Sequence, residues 1–298
     1  MRARDFVGYG ANPPHADWPD GARVAVSLVM NVEEGSERAV SRGDAENESV
    51  YDMIDEIHGQ PNLAMESHFD YGMRAGYWRI VRVLEKHGAL CTLNACAEAL
   101  ALSPWLAEDA LTRGHEISCH GDRWRSPLSM GEEEERAWIA RAVSTIHEVA
   151  GVPPRGWHCR CPHTENTRRL LVEHGGFLYD SDAYDDDLPR IEQVEGRPHV
   201  ILPYSLDTND MRFQRPEAGF VRAQDFADYV IDAFDWLWDE GAECPKMMTV
   251  GLHLRTIGRP ARIGGLDRVL AHMRAKGKVW FARRDQIAEH WLRRFGGG

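Results

Sequence analysis

Short apolar runs alternate along the chain with segments whose apolar residues recur every three or four positions. The runs fall at 24–32, 90–96, 116–120, 156–160, 177–182, 200–206, 247–254 and 278–282. Their length and β-rich composition predict strands, and the segments between most of them predict amphipathic helices. In one such helix Tyr77, Ile80, Val81 and Leu84 share a face, and Lys86-His87-Gly88 supplies a basic last turn and a glycine stop. Others cover 138–149, 167–174, 226–238 and 266–273. Strand alternating with helix implies a mostly parallel sheet covered by helices. Eight such units favour a closed or nearly closed α/β barrel over an open, doubly wound sheet. Two stretches break the rhythm. Residues 35–72 are too many for a βα loop and suggest a lid, a subunit contact or disorder. Residues 183–199 suggest a loop or a small hairpin.

The charge balance narrows the partners. With 47 acidic against 35 basic side chains the net charge is −12, which disfavours nucleic acid and anionic membrane surfaces. No apolar run approaches the roughly 18 residues of a membrane span. The basic opening MRAR has no apolar stretch behind it, so it does not read as a secretory signal, and a cytoplasmic location is expected. Cysteines stand at 91, 96, 119, 159, 161 and 244. Four lie within or next to apolar strand-like runs and are expected to be buried, reduced thiols. The tract His158-Cys159-Arg160-Cys161-Pro162-His163 lacks the two-to-four-residue spacer of a zinc knuckle and has no second cysteine pair to answer it.

In a β/α barrel the active site is built at the C-terminal strand ends. Those ends carry Glu33 and Glu34, Asn94, His120, Arg160, Asp180 and Asp182, Asp207, Asn209 and Asp210, His253 and Arg255, and Arg283 and Arg284. Nearly every strand thus delivers an ionisable or amide group to one rim, which points to a site and not to scattered surface charge. His115 and His290 are expected to be structural. Glu132 to Glu135 fall in the first turn of a helix, where negative charge suits the dipole.

Two adjacent acids after a strand, then GHEISCHGDRW, an arginine and a late L-H resemble the polysaccharide deacetylase (NodB-homology) superfamily, and most closely its allantoinase branch. Matching stretches include VSLVMNVEEGSE, MESHFDYGMRAGYWRI, NTRRLLVEHGGFLYDSDAYDDDLP and MMTVGLHLRTIGRPAR, spread over residues 5 to about 263. The resemblance implies a single-domain deformed β/α barrel of seven or eight parallel strands over residues 1–298, with 35–72 as an insertion. It implies Glu33 as general base, Glu34 as the second acid, His253 as general acid, and Arg160 steadying the base. His120 matches the first histidine of the H-x-x-x-H zinc motif, but Trp124 stands at the second. An indole has no in-plane lone pair. That leaves Glu34 and His120, too few for an ordinary catalytic zinc site. His58 or His68, folding inward from the insertion, could restore a third ligand.

The resulting expectation is a hydrolase of carbon–nitrogen bonds in a small cyclic amide, allantoin or a cyclic imide. It is expected to work without a cofactor, and the resemblance to the branch implies a homo-oligomer. Glu34, His120, Trp124, Asp182, Asp207 and Asn209 are expected to contact substrate, the acids accepting ureido or imide N–H groups. The alternatives are a zinc-dependent glycan or amino-sugar N-deacetylase and a catalytically inactive binding protein.

Overall fold

β1 (Val24–Val32) is buried at every residue and organises the sheet. The computed structural model describes residues 4–297 except 51–56, 161, 216 and 218. Among the described residues the remaining strands are β2 (Thr92–Ala95), β3 (Glu116–Cys119), β4 (Gly156–Trp157), β5 (Tyr179–Asp180), β6 (Arg190–Val194), β7 (Arg197–Ile201), β8 (Lys246–His253) and β9 (Val279–Phe281). The helices are α1 (Leu63–Tyr71), α2 (Tyr77–Lys86), α3 (Ala97–Leu102), α4 (Pro104–Thr112), α5 (Glu132–Ala150), α6 (Thr167–His174), α7 (Ala223–Glu240), α8 (Leu254–Ile257), α9 (Pro260–Lys276) and α10 (Arg284–Phe295). The eight apolar runs each hold one strand of a parallel set, in the order β7-β5-β4-β3-β2-β1-β8, with β9 also pairing β1. The ninth strand, β6, runs antiparallel to β7 and forms the hairpin in 183–199. Its two-residue turn puts Glu195 and Gly196 at φ 50° and 72°, as a type I′ turn requires.

The fold is a half-barrel. Between β7 and β8 a single bridge, Asn209 to Gly251, replaces a continuous ladder. β8 pairs β1 from Val24 to Asn31. The other edge of β1 is shared, with β9 against Val24–Val26 and β2 against Val29–Val32.

Alternation along β1 divides two environments. Val24, Val26, Leu28, Met30 and Val32 join the main apolar core, which also takes in α2, α5, α7 and α9. Ser27 and Asn31 point the other way, into an interior that is polar where such barrels usually stack branched apolar side chains. Arg284, the first residue of α10, fills the lower interior, donating to the hydroxyls of Ser27, Ser181 and Thr249 and to the carbonyls of Leu202 and Pro203. This corrects the expectation that it lies on the rim. β9 ends level with Val26, six residues short of the end of β1. No helix among the described residues is long and apolar enough to cross a membrane.

Candidate active site

Sheet register sets the rim. Val32, Ala95, Cys119, Trp157 and Asp180 are paired across β1 to β5. One residue further along each strand stand Glu33, Cys96, His120, His158 and Ser181, while β8 brings His253 level with Asn31. Glu33 is 2% exposed. Its Oε1 lies 3.6 Å from His120 Nε2 and 3.5 Å from His253 Nε2, and its Oε2 lies 2.7 Å from Arg255 Nη2. Burial alone would raise this carboxyl. Arg255 and then His253 outweigh burial and hold it well below the ordinary carboxylate range.

Glu34 turns back on the chain. Its Oε2 accepts the Glu33 N–H at 3.0 Å, and its Oε1 accepts the backbone N–H and Nη1 of Arg255 at 3.3 and 3.4 Å. Burial raises its carboxyl above the usual range, against the pull of Arg255 and with the push of Glu33. The insertion closes over this pair. A π-turn at Gly72–Gly76 joins α1 to α2, the kind of helix irregularity often met at functional sites. A Cβ on Gly72 would stand 2.3 Å from Glu34 Oε1, and one on Gly76 would stand 2.1 Å from the Leu254 carbonyl oxygen. Only glycine permits that approach. The motif DYGMRAGYW is therefore part of the site.

His253 is oriented by Asp210, which accepts its Nδ1–H at 2.6 Å, its backbone N–H at 2.8 Å and the Ile257 N–H at 3.0 Å. Burial would depress the imidazole, but Asp210 and then Glu33 overcome it and raise its pKa to about 10. On the opposite side His120 Nδ1 bonds the His158 carbonyl. That contact leaves the His120 Nε2 edge turned toward Glu33. Asn94 Nδ2 lies 2.9 Å from His120 Nδ1 and 3.3 Å from His158 Nδ1.

Glu33, Glu34, His120 and His253 therefore converge. The remaining expected residues divide. Trp124 packs against Phe69 at a tilt of 59° with centroids 6.2 Å apart and joins Ala39 and Met65 to form an apolar roof. Arg255 lies under that roof, 4.3 Å from the Phe69 ring and 5.3 Å from the Trp124 ring. Arg160 is displaced from its expected place against the base. It pairs with Glu48 at 2.9 and 3.0 Å, donates to the Trp124 carbonyl at 3.1 Å and lies 3.8 Å from the Trp124 ring. The arginine on Glu33 is Arg255, because α8 starts immediately after His253 and turns its guanidinium back onto both glutamates. Asp182 is buried and accepts the Cys159 N–H at 3.2 Å, with burial and then Asp180 raising its carboxyl. Asp180 is bound by Arg168 and His199. Asp207 lies outside the cluster, with its side chain 64% exposed and bound to Arg212 and Tyr229. Asn209 is buried but structural. Its Oδ1 caps Met211 N–H and its Nδ2 donates to the Tyr204 hydroxyl. Sequence reasoning missed Arg255, Asp210 and His158 as site residues, although the first two stand among the strand-end residues and the third within the cysteine tract.

The donor set does not suit a zinc ion. Arg255 already sets a cation against both glutamates, and Trp124 stands at the third ligand position. His68 Nδ1 lies 3.2 Å from Arg259 Nη2, and His58 lies beside Asn47 and Glu48 in a cleft of the insertion. Among the described residues no three His, Cys, Asp or Glu side chains are grouped to hold a metal. Of the cysteine tract, Cys159 is buried with its thiol on Asp182 Oδ2 at 3.5 Å, and Cys161 lies outside the described residues, while Cys91, Cys96 and Cys119 are buried free thiols.

A family model described as polysaccharide deacetylase matches residues 61–175. A Schizosaccharomyces pombe protein assigned to the polysaccharide deacetylases is 34% identical over 97% of this chain and 96% of its own. Two solved structures match the whole of this chain and are matched over their whole length, each at 44% identity. One is a Pseudomonas aeruginosa protein assigned to the polysaccharide deacetylases, with a TM-score of 0.95, and the other is the PuuE allantoinase, with a TM-score of 0.94.

Proposed function

The chain belongs to the polysaccharide deacetylase family, and from that premise we propose that it hydrolyses a carbon–nitrogen bond in a small cyclic amide, allantoin or a cyclic imide, without a metal. The observation that carries this reading is the Arg255 guanidinium paired with both glutamates, together with Trp124 in the roof. The identity to an allantoinase along the full chain supports the ring-amide class.

In this mechanism a water bound between Glu33 Oε1 and His120 Nε2 attacks the ring carbonyl. Glu33 takes the water proton as the new C–O bond forms. The C–N bond then breaks, and His253 Nε2 gives its proton to the departing nitrogen. The products are a carboxyl group and an N–H on one opened chain. General acid–base steps of this kind are each worth about 10²–10⁴-fold. The two groups work in sequence because they are coupled. The Glu33 charge helps hold the His253 proton, so protonating Glu33 makes His253 the stronger acid at the moment its proton is needed. Asp210 and Arg255 act as positioning residues.

The test is a panel of allantoin, hydantoin, succinimide, glutarimide and chitin oligomers, run with and without excess chelator. The expected result is turnover of a ring amide that survives chelation and is lost in Glu33→Gln and His253→Ala. Activity confined to acetylated oligomers, abolished by chelator and restored by zinc, would replace this reading with an N-deacetylase.

A further inference from the structure

We propose that His158 and Tyr184 form the subsite that holds the second, non-reacting carbonyl of the ring substrate. The inference deepens the cyclic-amide reading and rests on it.

His158 occupies the same register row as Glu33 and His120, with its ring 5.6 Å from that of His120. His120 Nδ1 donates to the His158 carbonyl, so the Asn94 amide has His158 Nδ1, at 3.3 Å, as the ring nitrogen it can donate to, and that bond selects the tautomer with the proton on Nε2. Burial, then the neighbouring His120 and Arg284, press its pKa well below the ordinary histidine value, so the ring is a neutral donor. That Nε2 lies 3.2 Å from the Tyr184 hydroxyl, and Tyr184 is 40% exposed. The pair thus runs from the catalytic row out to solvent. The ring is also preset. It packs 4.3 Å from Tyr204, whose hydroxyl accepts from Asn31 and Asn209 at 3.0 Å each. Asp182 Oδ1, at 3.9 Å from Nε2, stands beyond hydrogen-bond distance.

Several other rim side chains point away from a substrate or hold one another. Arg255 holds the glutamates, Asp210 holds His253 and α8, Arg160 holds Glu48, Asn209 caps its own turn and Asp182 takes the Cys159 N–H. A cyclic imide or ureide presents a second carbonyl across the ring nitrogen, and that oxygen needs a donor. A neutral donor binds it without disturbing the charge on Glu33. An acetamido group has only one carbonyl and gains nothing from this subsite, so the pair also sets specificity.

The experiment measures kcat and KM separately for the best ring substrate in the wild type, His158→Phe, His158→Gln and Tyr184→Phe. A site built to hydrogen-bond a polar group loses that binding when its donor is removed. His158→Phe should raise KM about tenfold, equivalent to roughly 1.4 kcal/mol, with kcat within about threefold. His158→Gln, which keeps an N–H, should recover most of the loss, and Tyr184→Phe should raise KM a few-fold. A purely structural role would instead lower kcat and melting temperature with KM unmoved. An unchanged KM in a folded His158→Phe overturns the proposal, and if that variant does not fold, an unchanged KM in Tyr184→Phe does so. A wild type that turns over no ring amide removes the cyclic-amide reading and this subsite together. Wild-type turnover with KM unmoved in the variants removes the subsite alone.

Discussion

Replacing Glu33 with glutamine should make His253 a stronger acid. The imidazole sits between two anions, Asp210 at 2.6 Å and Glu33 at 3.5 Å, which together raise its pKa to about 10 against the burial that would lower it. Two unit charges 3.5 Å apart interact by roughly 4.7 kcal/mol at an effective dielectric of about 20. The Glu33 charge is delocalised and shared with Arg255, so roughly 2 kcal/mol is a fairer figure, or about 1.5 pH units. The sign is fixed, since removing a negative neighbour disfavours the imidazolium. Glu33→Gln should therefore lower the His253 pKa by about 1.5 pH units, and Asp210→Asn should lower it further. Both follow from imidazole nitrogen and carbon shifts recorded by NMR across the alkaline range. A His253 titration unchanged in Glu33→Gln but lowered in Asp210→Asn would refute the coupling between base and acid on which the mechanism depends.

Other outcomes follow from the same geometry. His253 binds its proton more tightly folded than unfolded, so its contribution to stability is full below its ordinary pKa of 6.5 and is lost as pH rises through about 10. The difference in melting temperature between wild type and Asp210→Asn should shrink over that window. Gly72→Ala should cost about 1–3 kcal/mol in thermal or urea unfolding, together with much of the activity, because the new Cβ falls on Glu34. Asp207→Asn should leave kcat/KM within about twofold of wild type, since an exposed ion pair contributes little. Arg255→Lys, which cannot reproduce the fork across two carboxylates, should lower kcat/KM by roughly 10²-fold or more.

The parallel strands and the convergent carboxylate and histidines of the candidate site are legible because local pattern carries them. Each is an apolar run ending in a polar residue, and the register of β1 with β8 then brings Glu33 and His253 together without any further signal. Arg160 and Arg255 show where that logic stops. Both follow strands, and the partner of each is decided by a segment distant in sequence. Glu48 from the insertion draws Arg160 away, while a four-residue helix folds Arg255 back onto the glutamates. Nothing periodic in the chain reports either contact. The β6–β7 hairpin was only suggested, because its type I′ turn is built on Glu195-Gly196 in place of the usual Asn-Gly or Asp-Gly pair. His158 is masked in the sequence by Cys159 and Cys161 just after it, which suggest metal chemistry instead. Asp207 and Asn209 followed the same strand-end pattern as Asp210. Only the direction of the short turn after them separates an exposed ion pair, a cap and a histidine partner.

The polar interior has a consequence for how the molecule is assembled at the ribosome. Ser27, Ser181, Thr249 and the carbonyls at 202 and 203 all meet on one guanidinium, and that group belongs to residue 284. Every stave it ties together is synthesised before it. Until Arg284 emerges, Thr249 can donate to the Pro203 carbonyl, but the Ser27 and Ser181 hydroxyls and the Leu202 carbonyl lack the guanidinium that joins them, and under-satisfied polar groups of this kind disfavour closing the interior to water. The half-barrel is therefore expected to stay wetted and open until that side chain emerges, with α10 as the keystone that lets it dry and lock. Nascent chains stalled before and after residue 284 should differ sharply in protease resistance, with the transition set by the emergence of one side chain and not by the completion of the strands.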